Sequence, residues 1–155
     1  MNRISCVLFD LDGTLIDSNQ LIIDSFKHTF KFHLGKNVPA PEIARTFGRP
    51  LVEVLSQYAE GDKVKAKAML ETYQKHNESS HDTAIKLFPG VKETLAKLQR
   101  AGYSLAVVTG KRRRLAWRGL KLFGLEEYMA QVVTPEDTDR HKPAPDPVLK
   151  ALELL

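Results

Sequence analysis

An apolar run near the start of the chain, from Ile4 to Phe9, constrains the fold more than any other feature of the sequence. The run is short and apolar except for Ser5, and an acidic turn with the sequence Asp-Leu-Asp-Gly-Thr follows it at positions 10–14. This pattern predicts a buried strand of a parallel sheet, which carries Asp10 and Asp12 at its carboxyl end. Because Asp and Gly are also common turn residues, the alternative is an ordinary strand-end turn.

The position of the two acids predicts a ligand site. In open parallel α/β sheets, ligands bind just beyond the carboxyl ends of the strands. Asp10 and Asp12 would both carry negative charge at that edge, which is unfavourable unless something positive binds them. A divalent cation together with a phosphoryl group is the natural partner for such a pair.

Length and composition limit the class of protein. The chain has 155 residues, 43% of them hydrophobic, which is enough for one domain or one domain with an insertion. No apolar stretch approaches the ~18 residues of a membrane span, and residues 1–4 do not resemble a signal peptide. The single cysteine, Cys6, excludes an internal disulfide and favours a reducing compartment. We therefore expect a cytoplasmic protein that makes no membrane contact, with Cys6 buried in the first strand.

The formal net charge is +4, and the basic residues are partly clustered. Nucleic-acid binding would require interleaved aromatic residues and a recognisable motif, and Trp117 is the one aromatic residue in the cluster. The cluster therefore predicts a solvated helix face and no nucleic-acid partner. Its members are Lys111, Arg112, Arg113, Arg114, Arg118 and Lys121.

The segment after Thr14 has a helical period. A helix capped by Asp17 or Ser18 is predicted first, followed by a short helix at 42–47 and another at 51–58. Asp62 is expected to cap a long helix that ends at the polar stretch 76–82. Residues 16–82 are therefore predicted to be entirely helical.

The second half of the chain alternates between helices and strands. Helices are predicted at 91–100, 113–123 and 147–155, with buried strands at 103–108 and 130–133. This alternation indicates a parallel α/β sheet. We predict a discontinuous core domain, residues 1–15 and 84–155, and an inserted helical cap, residues 16–83. An insertion after the first strand can act as a lid over the carboxyl end of the sheet.

Polar residues follow each of the three predicted strands. Asp10 and Asp12 follow the first, Thr109 and Gly110 the second, and Lys142 comes after the third. Since adjacent strands lie ~4.8 Å apart, these groups can surround one phosphoryl group.

The order and placement of these motifs resemble those of the haloacid dehalogenase superfamily of phosphohydrolases. The resemblance implies that Asp10 is the nucleophile and that Asp12 is the general acid and base. It further implies that Thr109 and the Gly110 amide bind the phosphoryl oxygens and that Lys142 neutralises charge. Mg²⁺ would bind the Asp10 carboxylate and the Asp12 main-chain carbonyl.

The predicted cap resembles that of the phosphoglycolate phosphatase-like branch of the superfamily. In that branch a cap loop reaches the active site, and the matching segment here, 46–50, carries Arg49. Arg49 could bind a second anionic group of the substrate, or it could be a solvated helix-end arginine. Lys111 is a weaker candidate for substrate binding.

Four further segments resemble pyrophosphatases of that branch, which implies a small anionic phosphate substrate. The expected activity is hydrolysis of inorganic pyrophosphate, and a phosphoglycolate phosphatase or another small-ester phosphatase is the alternative. The segments are Thr14–Phe26, Ala101–Thr109, Gly119–Gly124 and Gln131–Thr134.

The sequence departs from the superfamily pattern after Lys142. The superfamily's fourth motif, an acidic pair on the next strand, has no counterpart there. Asp137 and Asp139 precede Lys142, so they are expected to be loop residues. The resemblance therefore implies a fragment of a longer protein, with weakened Mg²⁺ binding and the first strand exposed at a sheet edge. The alternative of another class is an impaired domain that binds phosphate or a partner without turnover.

Overall fold

The structure, a computed structural model, describes residues 4–155 and divides the chain into two compact units. The chain leaves the first unit after Asp17, forms the second unit as Ser18–Ala84, and returns to the first unit at Ile85. The domain limits predicted from the sequence, with the cap at 16–83, stay a prediction. Residues 1–3, on which the expected absence of a signal peptide partly rested, lie outside the described residues.

Within residues 4–155, the α/β unit contains a parallel sheet of three strands, in the order β1 (Cys6–Phe9), β4 (Ser104–Val108) and β5 (Gln131–Val133). Val107 of β4 pairs with Phe9 of β1, and Val108 of β4 pairs with Val133 of β5. The predicted α/β class with a parallel sheet is therefore confirmed.

The first strand is less buried than its apolar pattern predicts, and among the described residues it lies at an edge of the sheet, as the departure from the superfamily pattern implies. All four residues of β1 are partly exposed, whereas β4 is buried from Leu105 to Val108. The difference follows from position, because β4 has a neighbour on each side while β1 pairs with β4 alone among the described residues. The expectation that Cys6 is buried is therefore wrong, since its side chain is partly exposed.

Three helices of this unit bury the residues that a helical period places on one face. In the last helix, Pro147 and Ala151 are four residues apart and buried, and Ala151 belongs to the same core cluster as Val108 and Val133. This packing holds the segment after β5 against the sheet. The helices are α5 (Val91–Arg100), α6 (Arg113–Leu122) and α7 (Asp146–Leu154), each close to its predicted limits.

A two-stranded antiparallel ribbon, which was not predicted from the sequence, pairs the two chain segments that connect the units. It consists of β2 (Ile16–Asp17) and β3 (Lys86–Leu87). Ile16 pairs with Leu87, and Asp17 pairs with Lys86. Strands of two residues are too short to show an alternation of period two, so no sequence pattern predicts them.

The helical unit packs four helices around one apolar core. Asp62 accepts hydrogen bonds from the Val64 and Lys65 amides, at 2.9 and 3.0 Å, and so caps the longest helix as predicted. The helices are α1 (Asn19–Leu34), α2 (Ala40–Ala44), α3 (Leu51–Tyr58) and α4 (Lys63–Ala84). The buried core residues are Phe26, Phe30, Val38, Ile43, Val54, Leu55, Ala59, Met69 and Tyr73.

Helix α4 continues through the polar stretch that was expected to end it, so that expectation is wrong. Its buried residues recur every four positions, and the series Met69 and Tyr73 continues with Asn77 and His81. Asn77 is accommodated because its amide donates to the Ser25 hydroxyl of α1 at 3.3 Å. Within residues 4–155, no helix combines the length and apolar character needed to cross a membrane.

Candidate active site

The register of the sheet brings the carboxyl ends of its three strands to one edge. Asp10 directly follows Phe9, which pairs with Val107 of β4. Thr109 directly follows Val108, which pairs with Val133 of β5. The Thr109 amide donates to the Val133 carbonyl at 3.0 Å, which extends the ladder one residue beyond β4. The main chain at Thr109 is therefore fixed by the sheet and does not depend on a flexible loop.

Asp10 forms an ion pair with Lys142. The sequence predicts that both residues lie at the same edge of the sheet. Lys142 Nζ lies 3.0 Å from Asp10 Oδ1 and donates to the Val108 carbonyl at 3.0 Å. The Leu11 amide donates to the same Asp10 oxygen at 2.8 Å. Within residues 4–155, Asp10 Oδ2 has no hydrogen-bond or ion-pair partner. The side chain is 47% exposed, so one oxygen of Asp10 is held and the other is open to a ligand.

Asp12 is paired with a different lysine. Lys111 Nζ donates to Asp12 Oδ1 at 2.9 Å across 99 residues of chain. The Lys111 side chain is only 10% exposed, compared with 35% for Lys142. The two acids of the first motif are thus each neutralised by a lysine from a separate loop.

Thr109 is oriented by the main chain of its own loop. It is buried, and its Oγ1 accepts a hydrogen bond from the Lys111 amide at 3.0 Å. Because that bond uses a lone pair, the hydroxyl hydrogen remains available for donation to a ligand. Gly110 lies between the two residues in the same loop.

The acidic turn leaves a main-chain oxygen available at its second acid. The amides of Thr14, Leu15 and Ile16 all donate to the Leu11 carbonyl, at 3.3, 3.0 and 3.0 Å. These bonds do not use the Asp12 carbonyl. Gly13 has a φ of +78°, a left-handed conformation in which a side chain is strained, and this explains the glycine.

Arg49, predicted to contact substrate, belongs to the helical unit. Its guanidinium donates to Glu53 at 2.6 Å and to Gln57 at 3.1 Å, both on α3. These contacts lie on the helix that Arg49 precedes, so the residue has local partners in this structure. Its assignment to substrate binding stays a prediction.

A polar network that was not predicted from the sequence links the start of α6 to the loop after β5. Arg113 donates to Asp137 at 2.6 Å, and its amide lies 3.1 Å from Glu136 Oε1. The Asp137 carboxylate also accepts from the amide and the hydroxyl of Thr134, at 2.8 Å each. The sequence carried a signal for it, because Thr-Pro-Glu-Asp at 134–137 matches the spacing of a capping box.

The same network sets the charge of its two acids. Burial alone would raise the pKa of Glu136 and of Asp137, but their hydrogen bonds and the Arg113 charge outweigh it. The net effect holds the pKa of both carboxyl groups below their ordinary values. Arg113 is therefore a partner of two carboxylates, and its side chain is still 50% exposed, as the predicted solvated face requires.

The family model described as haloacid dehalogenase-like hydrolase matches residues 7–155, nearly the whole chain. The chain belongs to this family. As a haloacid dehalogenase-like hydrolase it is an enzyme, and the resemblance found in the sequence is confirmed.

Known relatives of this haloacid dehalogenase-like hydrolase agree with that assignment. A "Putative pyrophosphatase PpaX" from Caldanaerobacter subterraneus subsp. tengcongensis is 54% identical over 99% of this chain and 68% of the relative. A "Pyrophosphatase PpaX" from Halalkalibacterium halodurans is 41% identical over 99% of this chain and 70% of the relative.

A solved structure supports the fold. The crystal structure of a "Putative haloacid dehalogenase-like hydrolase" from Bacteroides fragilis superposes with a TM-score of 0.89 at 26% identity. The match covers 97% of this chain and 72% of that one. The α/β architecture described above is thus shared with a crystal structure of the same family.

Proposed function

We propose that this chain is a Mg²⁺-dependent phosphohydrolase that acts through an aspartyl-phosphate on Asp10 and prefers inorganic pyrophosphate. The observation that carries the proposal is the contact of Lys142 with Asp10 at the rim of the sheet, 3.0 Å between Nζ and Oδ1. The choice of substrate is supported by relatives named as pyrophosphatases at 54% and 41% identity.

The first half-reaction transfers the phosphoryl group to the enzyme. Oδ2 of Asp10 attacks phosphorus and forms a new O–P bond, while the bond from phosphorus to the leaving oxygen breaks. Asp12 transfers a proton to that leaving oxygen, which departs with the bonding electron pair. The Thr109 hydroxyl and the Gly110 amide donate to the phosphoryl oxygens, and the Lys142 ammonium offsets their negative charge.

The second half-reaction returns the enzyme to its starting state. A water molecule attacks the phosphorus of the aspartyl-phosphate and gives a proton to Asp12. The O–P bond to Asp10 then breaks, which releases inorganic phosphate and restores the Asp10 carboxylate. Asp12 thus acts first as acid and then as base, and one proton is returned for each proton donated.

The oxygen donors at the first motif fit Mg²⁺. Mg²⁺ is usually held by one or two carboxylates, with substrate oxygens and water completing six positions. The residues that would hold it are Asp10, through its carboxylate, and Asp12, through the carbonyl that the turn leaves unused. No group of three or more acid, His or Cys side chains suited to a metal is found within residues 4–155. When bound, the ion would offset negative charge on the transferring phosphoryl group.

The proposed substrate is tested by a panel. Initial rates on pyrophosphate, phosphoglycolate and a sugar phosphate are measured with Mg²⁺, with a chelator, and after Mg²⁺ is restored. We expect the highest kcat/KM on pyrophosphate, loss of turnover with the chelator, and recovery with the ion. A preference for phosphoglycolate would replace the substrate and keep the chemistry. A preference for the sugar phosphate would overturn the substrate assignment altogether.

The nucleophile is tested by Asp10→Asn, which keeps the size of the side chain and removes its charge. We expect turnover to disappear while the thermal unfolding midpoint stays within a few degrees, because the side chain is about half exposed. Asp139→Asn is the matched control, since it makes the same change at an exposed loop residue and should retain activity. Full activity in Asp10→Asn would remove Asp10 as the nucleophile.

A further inference from the structure

We propose that Lys111 is a positioning residue that holds the carboxyl group of Asp12 in the orientation needed for proton transfer to the leaving group. The inference rests on the proposed function, in which Asp12 is the general acid and base. It assigns Lys111 a role that differs from the substrate binding suggested by the sequence.

The first support is that Lys111 is held at both ends. Its amide donates to Thr109 Oγ1 at 3.0 Å, and its ammonium donates to Asp12 Oδ1 at 2.9 Å. The side chain between these points is 10% exposed, so little of it is free to swing. A long side chain that is packed and bonded in this way can transmit the fixed geometry of the Thr109 loop to Asp12.

The second support is that the contact occupies one oxygen of Asp12 and leaves the other. Within residues 4–155, Lys111 is the one side chain that contacts the Asp12 carboxyl group, and it does so at Oδ1. Oδ2 is therefore the oxygen that can carry the transferred proton. An ammonium can donate to Oδ1 whether or not Oδ2 is protonated, so the same contact can hold Asp12 through both half-reactions.

The third support is the contrast with Lys142. The Lys142 side chain is 35% exposed, and its ammonium meets the Asp10 carboxylate and a strand-end carbonyl, which is the arrangement expected of a group that meets substrate. Lys111 is more buried, and the acid that it contacts is the one assigned to proton transfer. The two lysines thus have different roles in the proposed reaction. Lys142 offsets charge at the phosphorus that Asp10 attacks, and Lys111 orients Asp12, the proton donor.

The kinetic test compares Lys111→Met with Lys111→Arg on two classes of substrate. A substrate-binding lysine would raise KM for every phosphate ester. A residue that positions the acid lowers kcat/KM, which reports the first half-reaction alone, mainly where the leaving oxygen needs a proton. We expect Lys111→Met to lower kcat/KM about 10- to 100-fold on an alkyl phosphate such as phosphoglycolate, at or below the ~10²-fold that loss of the general acid itself would cost. On 4-nitrophenyl phosphate, whose leaving group departs without a proton, we expect a loss of about threefold or less.

Two further variants complete the comparison. Lys111→Arg should recover much of the alkyl phosphate rate, since a guanidinium can also donate to Asp12. Lys121→Met, at an exposed lysine of α6, is the matched control and should behave as wild type. An equal loss of kcat/KM on both substrates, or a change confined to KM, would overturn the proposal.

A structural measurement keeps the test independent of turnover. Crystal structures of the wild type and of Lys111→Met should show one Asp12 side-chain conformer in the first and a displaced or divided one in the second. An unchanged Asp12 in the variant would overturn the positioning role even if the protein hydrolyses none of the esters. Failure of the proposed function is recognised separately, because the wild type would then lack turnover on the whole panel.

Discussion

A single hydrogen bond at Thr109 illustrates what one residue contributes to this site. The side chain is buried, and its oxygen receives the Lys111 amide at 3.0 Å. Since the acceptor role is filled by the protein, the hydroxyl has one hydrogen left to donate. In the proposed reaction this hydrogen is directed at an oxygen whose charge grows in the transition state.

Replacement of Thr109 by Val should therefore lower kcat by about 10²-fold, the usual cost of one lost donor to a developing oxyanion. Val keeps the branched shape, so the fold should be retained. Thr109→Ser keeps the hydroxyl and should stay within about tenfold of wild type. Steady-state kinetics on pyrophosphate checks the two variants side by side. Equal activity in Thr109→Val and wild type would exclude a role for the hydroxyl.

Which residues meet at the site could be predicted only in part. Asp10, Asp12, Thr109 and Lys142 were found because each follows a strand, and parallel strands end at one edge. Which lysine pairs with which acid could not be found in this way. The pairing of Lys111 with Asp12 joins residues 99 positions apart, and it depends on loop conformation, which leaves no periodic trace in the sequence.

The interface between α1 and α4 places two histidines in contact. The rings of His28 and His76 are stacked with centroids 4.5 Å apart. His76 Nδ1 also lies 3.2 Å from the Ser25 hydroxyl, and Asp24 of α1 acts on the same ring. Burial, followed by the charge of His28, lowers the pKa of His76 from 6.5, while Asp24 opposes the shift.

This lowered pKa predicts that stability falls in mild acid. The folded protein binds the His76 proton less readily than the unfolded chain, so the contribution of the neutral ring is complete above pH 6.5. It is lost as the pH falls from 6.5 through the folded-state pKa of His76. Urea unfolding followed by circular dichroism between pH 5 and 8 measures the effect.

His76→Gln provides the comparison, because it removes the titrating ring and keeps a polar side chain. We expect the free energy of unfolding of this variant to depend less on pH between 5 and 6.5 than that of wild type. His141→Gln, at an exposed loop residue of the other unit, should keep the wild-type pH dependence. An identical slope in wild type and His76→Gln would contradict the assignment.

At the level of elements, the helices of the α/β unit were predicted well and the end of α4 was not. The apolar faces of α5 and α7 show a clear helical period, so their limits came within one or two residues. In α4 the buried series passes from Met69 and Tyr73 to Asn77 and His81. Polar residues on a buried face look like solvated residues in a sequence, because their partners lie on another helix.

For the molecule as a whole, the ribbon of β2 and β3 determines how the helical unit is joined to the α/β unit. The chain departs after Asp17, which pairs directly with Lys86 on the returning strand. A deletion that joins these two residues through Asn-Gly would convert the ribbon into a hairpin with a two-residue turn of a favoured type. We expect the shortened chain to keep the parallel sheet, as judged by circular dichroism and dispersed amide NMR signals.

A matched control shifts the junction by one residue. Joining Ile16, instead of Asp17, to Lys86 through the same Asn-Gly turn displaces the register and turns each side chain to the opposite face. We expect this variant to be less stable than the first in urea unfolding. Equal stability of the two deletions, or loss of the sheet in both, would show that the ribbon does not hold the junction.

The pairing of Asp17 with Lys86 has an evolutionary consequence. The backbone leaves and re-enters the α/β unit at two hydrogen-bonded neighbours. The geometry of this junction is therefore independent of how many residues are inserted between them. During descent, the intervening stretch can be lengthened, trimmed or exchanged for another without disturbing the alignment of the paired strands. Selection on the inserted part and selection on the catalytic edge can therefore proceed separately in the same gene.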